Sequence, residues 1–325
     1  MASIDSDAPA VPDLAAIEAA RTRIAAHVVR TPIVASAALD ALTGAALLFK
    51  CENLQRVGAF KARGACNAVF ALDVATSARG VVTHSSGNHG AAVAFAAQRR
   101  GIPAHVVMPD NAPRVKQENV RRYGATIHFC EPNVPAREAV CAAVMRDTGA
   151  VLIHPFDNEN VIAGQGTAAL ELLEAAPGLD AVVTPVGGGG LLSGTAIAAH
   201  GVRATLQVYG TEPAEADDAA RGFHAGHMMP PPATHTIADG LRSGMSPRTF
   251  AAVCAHVNDV ATCAEASIVR AMRLMWEHLK LVVEPSSAVP LACLLEGTLD
   301  LRGRRVGVIV TGGNVDLDRL PWQTA

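Results

Sequence analysis

Two stretches of the chain combine residue types that could do chemistry together. Thr184-Pro185-Val186-Gly187-Gly188-Gly189-Gly190-Leu191-Leu192-Ser193-Gly194 reads as a strand, a four-glycine turn and an apolar helix. Bare of side chains, consecutive backbone N–H groups there can converge on an anion, and the helix start adds its positive dipole end. Phosphate is the expected guest. The stretch lacks the Lys-Ser/Thr pair of a P-loop and does not fit GxGxxG, which counts against NTP hydrolysis and dinucleotide binding. A plain flexible turn is the ordinary alternative, but four glycines between a buried strand and a helix cost entropy without return. Lys61 lies in Gly58-Ala59-Phe60-Lys61-Ala62-Arg63-Gly64-Ala65, at the predicted start of a helix running to about Leu72. A cation at the positive end of a helix is disfavoured, so that placement depresses the amine's pKa. A depressed pKa suits an amine that attacks an aldehyde and forms a Schiff base. Taken alone, a lysine in an Ala/Arg-rich stretch is a solvated charge. Beside a phosphate cradle it gains interest.

Two further stretches repeat the strand, loop and helix grammar. In Thr83-His84-Ser85-Ser86-Gly87-Asn88-His89-Gly90 the small polar groups and backbone N–H groups can bind a carboxylate. An N-cap by Ser85 or Ser86 would explain one serine but not the whole octet. Val310-Thr311-Gly312-Gly313-Asn314 closes the last predicted strand, where the Thr311 hydroxyl could reach a heteroaromatic nitrogen or merely cap the strand end.

The elements that must position these motifs show in the apolar pattern. Short apolar runs at 46–51, 80–83, 104–108, 126–129, 151–154, 181–186, 207–211 and 305–311 read as strands. Helix-like segments alternate with them, among them 14–27, 90–100, 115–123, 137–148, 163–175 and 267–279. Residues 1–12 read as a loose tail. Continuous apolar strands between helices indicate an α/β fold whose sheets are covered on both faces. The expected architecture is two open, twisted, mainly parallel sheets flanked by helices. A small domain, 80–157, would be inserted into a larger one made of 1–79 and 158–325, with the ligand in the cleft between them.

Composition narrows the class. With 325 residues, half of them hydrophobic and 18% charged, the chain has ample core for one large domain or two modest ones. A net charge of −3 gives no footprint for nucleic acid or an anionic membrane. The uncharged run 181–199 is broken by a proline and five glycines, which makes it a poor membrane span. Asp5 and Asp7 precede any basic residue and no apolar stretch follows, against a secretory signal. Seven scattered cysteines without a CxxC pair argue against a disulfide framework or zinc ribbon and for a reducing cytoplasm.

Lysine in GAFKARGA, then SSGNHG, VGGGGLLSG and TGGN, in that order, resembles the fold-type II (tryptophan synthase β-like) pyridoxal-phosphate enzymes. Within them the chain looks like the serine/threonine dehydratase and serine racemase branch, from Arg30-Thr31-Pro32 to Asn314-Val315-Asp316. The resemblance implies that Lys61 is the Schiff-base lysine and that Phe60 lies beside the cofactor ring. Asn88 would meet the cofactor's 3-hydroxyl. Gly187, Gly188, Gly189 and Gly190 with Leu191 would hold its phosphate, and Thr311 would contact the pyridine nitrogen. Ser85, Ser86, Gly87, Asn88 and His89 would receive the substrate carboxylate. The implied activity is β-elimination on a β-hydroxy-α-amino acid, giving a 2-oxo acid and ammonia. A neutral Thr311 hydroxyl does not hold the pyridine nitrogen protonated, which favours prompt loss of a β-leaving group over transamination.

The resemblance leaves alternatives open. Ser86 stands where racemase-like members have serine and many dehydratases alanine, so racemisation with Lys61 and Ser86 as opposing acid and base is the second reading. Arg56, Ala37 and Ala91 depart from the Lys, Ser and Gln that branch usually has at its nucleotide contacts, which counts against nucleotide activation. Arg137 matches a position that points toward the far end of the substrate pocket in relatives. There it would favour a second carboxylate, as in 3-hydroxyaspartate, over serine, threonine or phenylserine. Read without the resemblance it is a solvated arginine at a helix start. Glu212, Asp218 and the Ala216 carbonyl are similar to the divalent-cation site of the racemase branch, and oxygen ligands suit Mg²⁺ or Ca²⁺. An acidic helix start is the plain reading of that stretch. His224 and His227 read as loop residues rather than a metal pair. A non-catalytic cofactor binder or sensor is the third reading, although Lys61, Asn88 and the glycines are all retained. The expected partners are a small amino acid and a second copy of the chain in a homodimer. Few residues follow TGGN, so no effector domain of the biosynthetic dehydratase kind is expected.

Overall fold

A computed structural model describes residues 10–85, 87–112 and 114–323. The larger sheet contains β1 (Ile33–Val34), β2 (Ala46–Cys51), β7 (Ala181–Pro185), β8 (Gln207–Pro213), β9 (Asp259–Cys263) and β10 (Arg305–Val310). Their order across the sheet is β1-β2-β10-β7-β8-β9. The smaller sheet, ordered β5-β4-β3-β6, contains β3 (Val81–His84), β4 (Ala104–Pro109), β5 (Thr126–Cys130) and β6 (Val151–Leu152). Every pairing is parallel except that of β1 with β2. The helices in the first half are α1 (Leu14–Ile24), α2 (Ala37–Thr43), α3 (Lys61–Ala71), α4 (Val74–Ser77), α5 (Asn88–Arg100), α6 (Arg114–Arg121) and α7 (Val134–Thr148). Then follow α8 (Glu159–Ala175), α9 (Gly190–Val202), α10 (Asp218–Ala225), α11 (Pro247–His256), α12 (Glu265–Leu279) and α13 (Pro285–Glu296).

All five positions of β7 are buried, which requires cover on both faces. Successive side chains supply it: Val182 joins a core with Ile17, Leu172 and Leu192, and Val183 joins one with Met272, Leu291 and Val308. The expected mainly parallel two-sheet architecture is therefore the observed one. Helices α3 and α8 cross so closely that a Cβ on Gly164 would lie 2.6 Å from the Gly64 Cα. Only glycine permits that approach, and it seats the helix that begins at Lys61.

The differences from the sequence reading have local causes. β9 carries Asp259 and Thr262 in five residues, which hides it from an apolar-run search. β1 is two residues long. Helices α7 and α8 start earlier than their apolar patterns, because Asn133 and Asn158 cap them by accepting from Ala136 N and Val161 N. Arg137 thus lies in the first turn of a helix already begun at Val134. Of the tail expected over 1–12, residues 1–9 lie outside the described residues. Among the described residues, no helix is long and apolar enough to cross a membrane.

Candidate active site

Between β2 and α3 the chain makes two single turns of 3-10 helix, Glu52–Leu54 and Arg56–Gly58. The second contains Val57 at φ +58°, a β-branched residue in the left-handed region. Ala59 then bridges to Gly312, and Phe60 N donates to the Thr311 carbonyl at 2.9 Å. This ties the start of α3 to the loop after β10. Lys61 Nζ donates to the Pro155 carbonyl at 3.0 Å and lies 5.0 Å from the centre of the Phe60 ring. Burial lowers its pKa to about 8, with the Glu284 carboxylate opposing the shift. The direction is the one expected from the sequence, but the cause is burial rather than the helix dipole.

The four-glycine turn follows β7. Gly189 has φ +83° and α9 begins at the next residue, so the turn needs glycine for its backbone alone. A Cβ on Gly188 would run into the Phe156 ring. Among the described residues, no protein group accepts a hydrogen bond from the amides of Gly187, Gly188 or Gly189. Unfilled donors at a helix start fit a phosphate. Because Pro155 holds Lys61 and Phe156 covers Gly188, the 154–156 segment brings the amine and the turn together.

Asn88 opens α5, and its Nδ2 donates to both oxygens of Glu284, at 2.9 and 3.1 Å. Its Oδ1 accepts from Asn314 Nδ2 at 2.8 Å. Glu284 is buried, and burial pushes its pKa up to about 7 although the Asn88 bonds pull it down. The Thr311 hydroxyl shares a 2.9 Å hydrogen bond with Ser287, whose oxygen also accepts from Gly312 N at 2.8 Å. Sequence reasoning missed Glu284 and Ser287. Both follow the apolar Leu281-Val282-Val283, and Glu284-Pro285 as a helix start was the signal available.

In the 85–89 loop, Gly87 N donates to Ser85 Oγ at 3.2 Å, while the N-cap of α5 is Gly87, with no side-chain cap. The capping role considered for Ser85 is therefore not the observed one. Ser86 lies outside the described residues. His89 is buried, with Nε2 3.0 Å from the Ile153 carbonyl and Nδ1, among the described residues, without a partner. Burial, then the Lys61 charge, puts its pKa well below the usual value, so its ring is neutral. Beyond this loop the His84 and His154 rings meet edge to face at 5.1 Å. Burial brings His154 down to about 4 and lowers His84, with the Arg137 charge adding to both. Arg137 Nε is buried and, among the described residues, has no acceptor.

Glu212 ends up wholly buried near the end of β8 and accepts from Ala219 N and Ala220 N at 3.3 and 2.9 Å. Burial raises its pKa to about 9, and that of Asp218 to about 6. Among the described residues Asp218 Oδ1 has no partner. Two buried carboxylates beside one another, one with an orphaned oxygen, suit a hard cation. Among the described residues no group of three His, Cys, Asp or Glu side chains gathers, so a cation there would lean on the Ala216 carbonyl and water. His224 bonds Asp259 at 2.7 Å and His227 the Ala225 carbonyl, which keeps them apart from this pair.

Residues 24–312 match the family described as pyridoxal-phosphate dependent enzyme. The β-hydroxyaspartate dehydratase of Paracoccus denitrificans is 53% identical over 304 residues, which cover 94% of this chain and 96% of that protein. The structure of maize serine racemase superposes with a TM-score of 0.93 at 47% identity, covering 95% of each chain. A T.th. threonine deaminase gives 0.89 at 42% identity over 95% of this chain and all of that one. Together with the amine, the anion cradle and the fold, these likenesses place the chain in the pyridoxal-phosphate dependent enzyme family.

Proposed function

We propose that the chain is a dehydratase acting on a β-hydroxy-α-amino acid that carries a second carboxylate, with 3-hydroxyaspartate as the substrate that fits. The carrying observation is the meeting of Lys61, the 187–190 turn and the Asn88, Glu284 and Thr311 cluster at the C-terminal ends of parallel strands. Gly187, Gly188, Gly189, Gly190 and Leu191 would hold the phosphate, Thr311 the ring nitrogen and Asn88 the 3-hydroxyl, with Phe60 beside the ring. Pyridoxal phosphate, when bound, supplies the electron sink for a bond broken at the α-carbon.

The residues of the chain do the rest. Lys61, whose pKa burial lowers to about 8, is the attachment point and the base for the α-proton. Ser85, Ser86, Gly87, Asn88 and His89 orient the α-carboxylate. The α-proton and the β-hydroxyl depart as water, and a second water hydrolyses the unsaturated amine to a 2-oxo acid and ammonia. One water leaves and one enters. Arg137 supports the choice of a dicarboxylate: among the described residues its buried Nε is free of acceptors, and burial lowers the pKa of His84 and His154 beside it. The Paracoccus relative's name points the same way.

A Mg²⁺ or Ca²⁺ ion held by Glu212, Asp218 and the Ala216 carbonyl belongs to this proposal, supported by the orphaned Asp218 oxygen. So do a cytoplasmic setting and a homodimer, which fractionation and sedimentation check. The test of function is release of 2-oxo acid and ammonia from a panel of β-hydroxy amino acids. We expect kcat/KM for 3-hydroxyaspartate to exceed that for serine by about 100-fold, the scale of a charge-assisted, bidentate carboxylate contact in a dry site. Turnover of serine and threonine with none of the dicarboxylate would overturn the substrate assignment. Inversion of the α-carbon without ammonia would favour racemisation by Lys61 and Ser86.

A further inference from the structure

Two residues beyond Lys61, and so on another face of α3, Arg63 is fully buried and all its donors are used. Nε and Nη2 grip Glu52 at 2.7 and 2.9 Å, and Nη1 and Nη2 grip Glu171 of α8, both at 2.8 Å. Thr167 Oγ1 and the Val29 carbonyl take the remainder at 3.1 and 3.3 Å. Lys50 of β2 completes the cluster, donating to Glu171 at 2.6 Å and to the Thr31 carbonyl at 2.8 Å. Two cations face two carboxylates, so the cluster is neutral although it is shut away from water.

Such a cluster is a weak source of stability, since apolar side chains of similar volume often serve as well. Its value is directional, and it touches the segment that delivers Lys61. Thr31 Oγ1 donates to Glu52 at 2.6 Å. Gln55, whose Nε2 lies 3.4 Å from Glu52, also bonds the Val29 carbonyl at 2.7 Å and accepts from Arg56 N at 2.9 Å. Next comes Val57 at its positive φ, a conformation that persists only where the surroundings over-determine it. Asn314 Nδ2 fixes the Val57 carbonyl at 2.8 Å, and Gly313 N the Gly58 carbonyl at 3.0 Å. The strained turn is thus held at its entry by the ion cluster and at its exit by the 311–314 loop, while Arg63 grips the first turn of α3.

We propose that the Lys50, Glu52, Arg63 and Glu171 cluster is a positioning device that sets the Lys61 amine where the cofactor's aldehyde arrives. This rests on the assignment of Lys61 as the cofactor lysine, and the experiment separates the two. Enzyme purified with its cofactor is stripped and re-exposed to saturating pyridoxal phosphate. Covalent attachment is followed by absorbance and by borohydride trapping with peptide mapping. Glu171→Gln leaves an excess positive charge, and Arg63→Lys keeps its charge but loses the fork. Both are expected to attach the cofactor about 10- to 100-fold more slowly than wild type, the scale of a small misplacement of a reacting group. Their kcat should fall in step, with KM changed less than about 3-fold. The neutral double variant Lys50→Met/Glu171→Gln should recover much of the rate lost by Glu171→Gln. Variants that melt lower but attach the cofactor at the wild-type rate would show a merely structural role and overturn the proposal. If the single variants do not fold, the double variant and Thr167→Val decide: wild-type attachment rates in both overturn it, and about 2-fold or greater slowing in Thr167→Val sustains it. A trapped group on another lysine of the wild type would overturn the Lys61 assignment and the proposal with it.

Discussion

Lys50 and Lys61 flank the same turn, and burial lowers the pKa of both. Their partners differ. The Lys50 ammonium has the Glu171 carboxylate at 2.6 Å and the Thr31 carbonyl at 2.8 Å. Lys61 has one carbonyl, that of Pro155, at 3.0 Å. The carboxylate that opposes its shift, Glu284, is itself pushed up to about 7 and already bonded by Asn88. A buried cation with a carboxylate in contact is a fixed charge, whereas one resting on a carbonyl is a proton away from being a nucleophile. The same contrast holds more widely. Every Arg63 donor is filled, whereas Arg137 Nε and His89 Nδ1, both buried, are unfilled among the described residues. A buried group left without a partner is a place that a ligand, an ion or water can fill.

The largest expected effect breaks the comparison at its ends. Lys61→Ala should cut elimination by about 10³-fold or more, as loss of both attachment point and base requires. Its melting temperature should move little, because among the described residues Lys61 makes a single hydrogen bond. Lys50→Met should lower elimination less than Lys61→Ala does and cost about 3–5 kcal/mol in urea unfolding, as breaking one side of a buried ion pair does. If both variants lost stability equally, the two lysines would not differ as described.

Next in size is Arg137→Met. Loss of one partner of a desolvated charge pair is worth about 2 kcal/mol or more, so kcat/KM for 3-hydroxyaspartate should fall about 30-fold. Serine should change less than about 3-fold. Equal losses for both substrates would remove Arg137 from substrate selection.

A smaller effect sharpens the contrast through pH. Only the free amine attacks an aldehyde, so below a pKa of about 8 the rate of cofactor attachment to stripped protein should rise with pH, levelling above it. The Glu284 carboxylate raises the Lys61 pKa, so Glu284→Gln should move that inflection to lower pH. An inflection that stayed in place would show that Glu284 does not act on Lys61.

Much of this was legible in the sequence, and the rest was not for physical reasons. Four glycines after an apolar run, and a lysine at a helix start, are local patterns, and local patterns survive in sequence order. The ion cluster is different. Lys50, Glu52, Arg63 and Glu171 come from β2, a 3-10 turn, α3 and α8, and each read alone looks like a solvated charge. Glu284 and Ser287 act through contacts with Asn88 and Thr311 that no spacing announces. β9 escaped notice because Asp259 and Thr262 interrupt its apolar run.

The smallest effect concerns the cation. A chelator should lower the melting temperature by a few degrees and excess Mg²⁺ should restore it, since an ion bound to the folded state alone stabilises by mass action. Glu212→Gln should be insensitive to both additions. Equal melting temperatures under all conditions would leave Glu212 as a helix cap, consistent with its bonds to Ala219 and Ala220.

The chain has four lysines, Lys50, Lys61, Lys116 and Lys280, which makes one measurement decisive. Cofactor-loaded enzyme is reduced with borohydride, digested, and the pyridoxyl group mapped by mass. We expect the whole of the label on Lys61. Label on Lys50, or spread over several lysines, would contradict the distinction between the amine paired with a carboxylate and the amine resting on a carbonyl, on which the assignment of the active site stands.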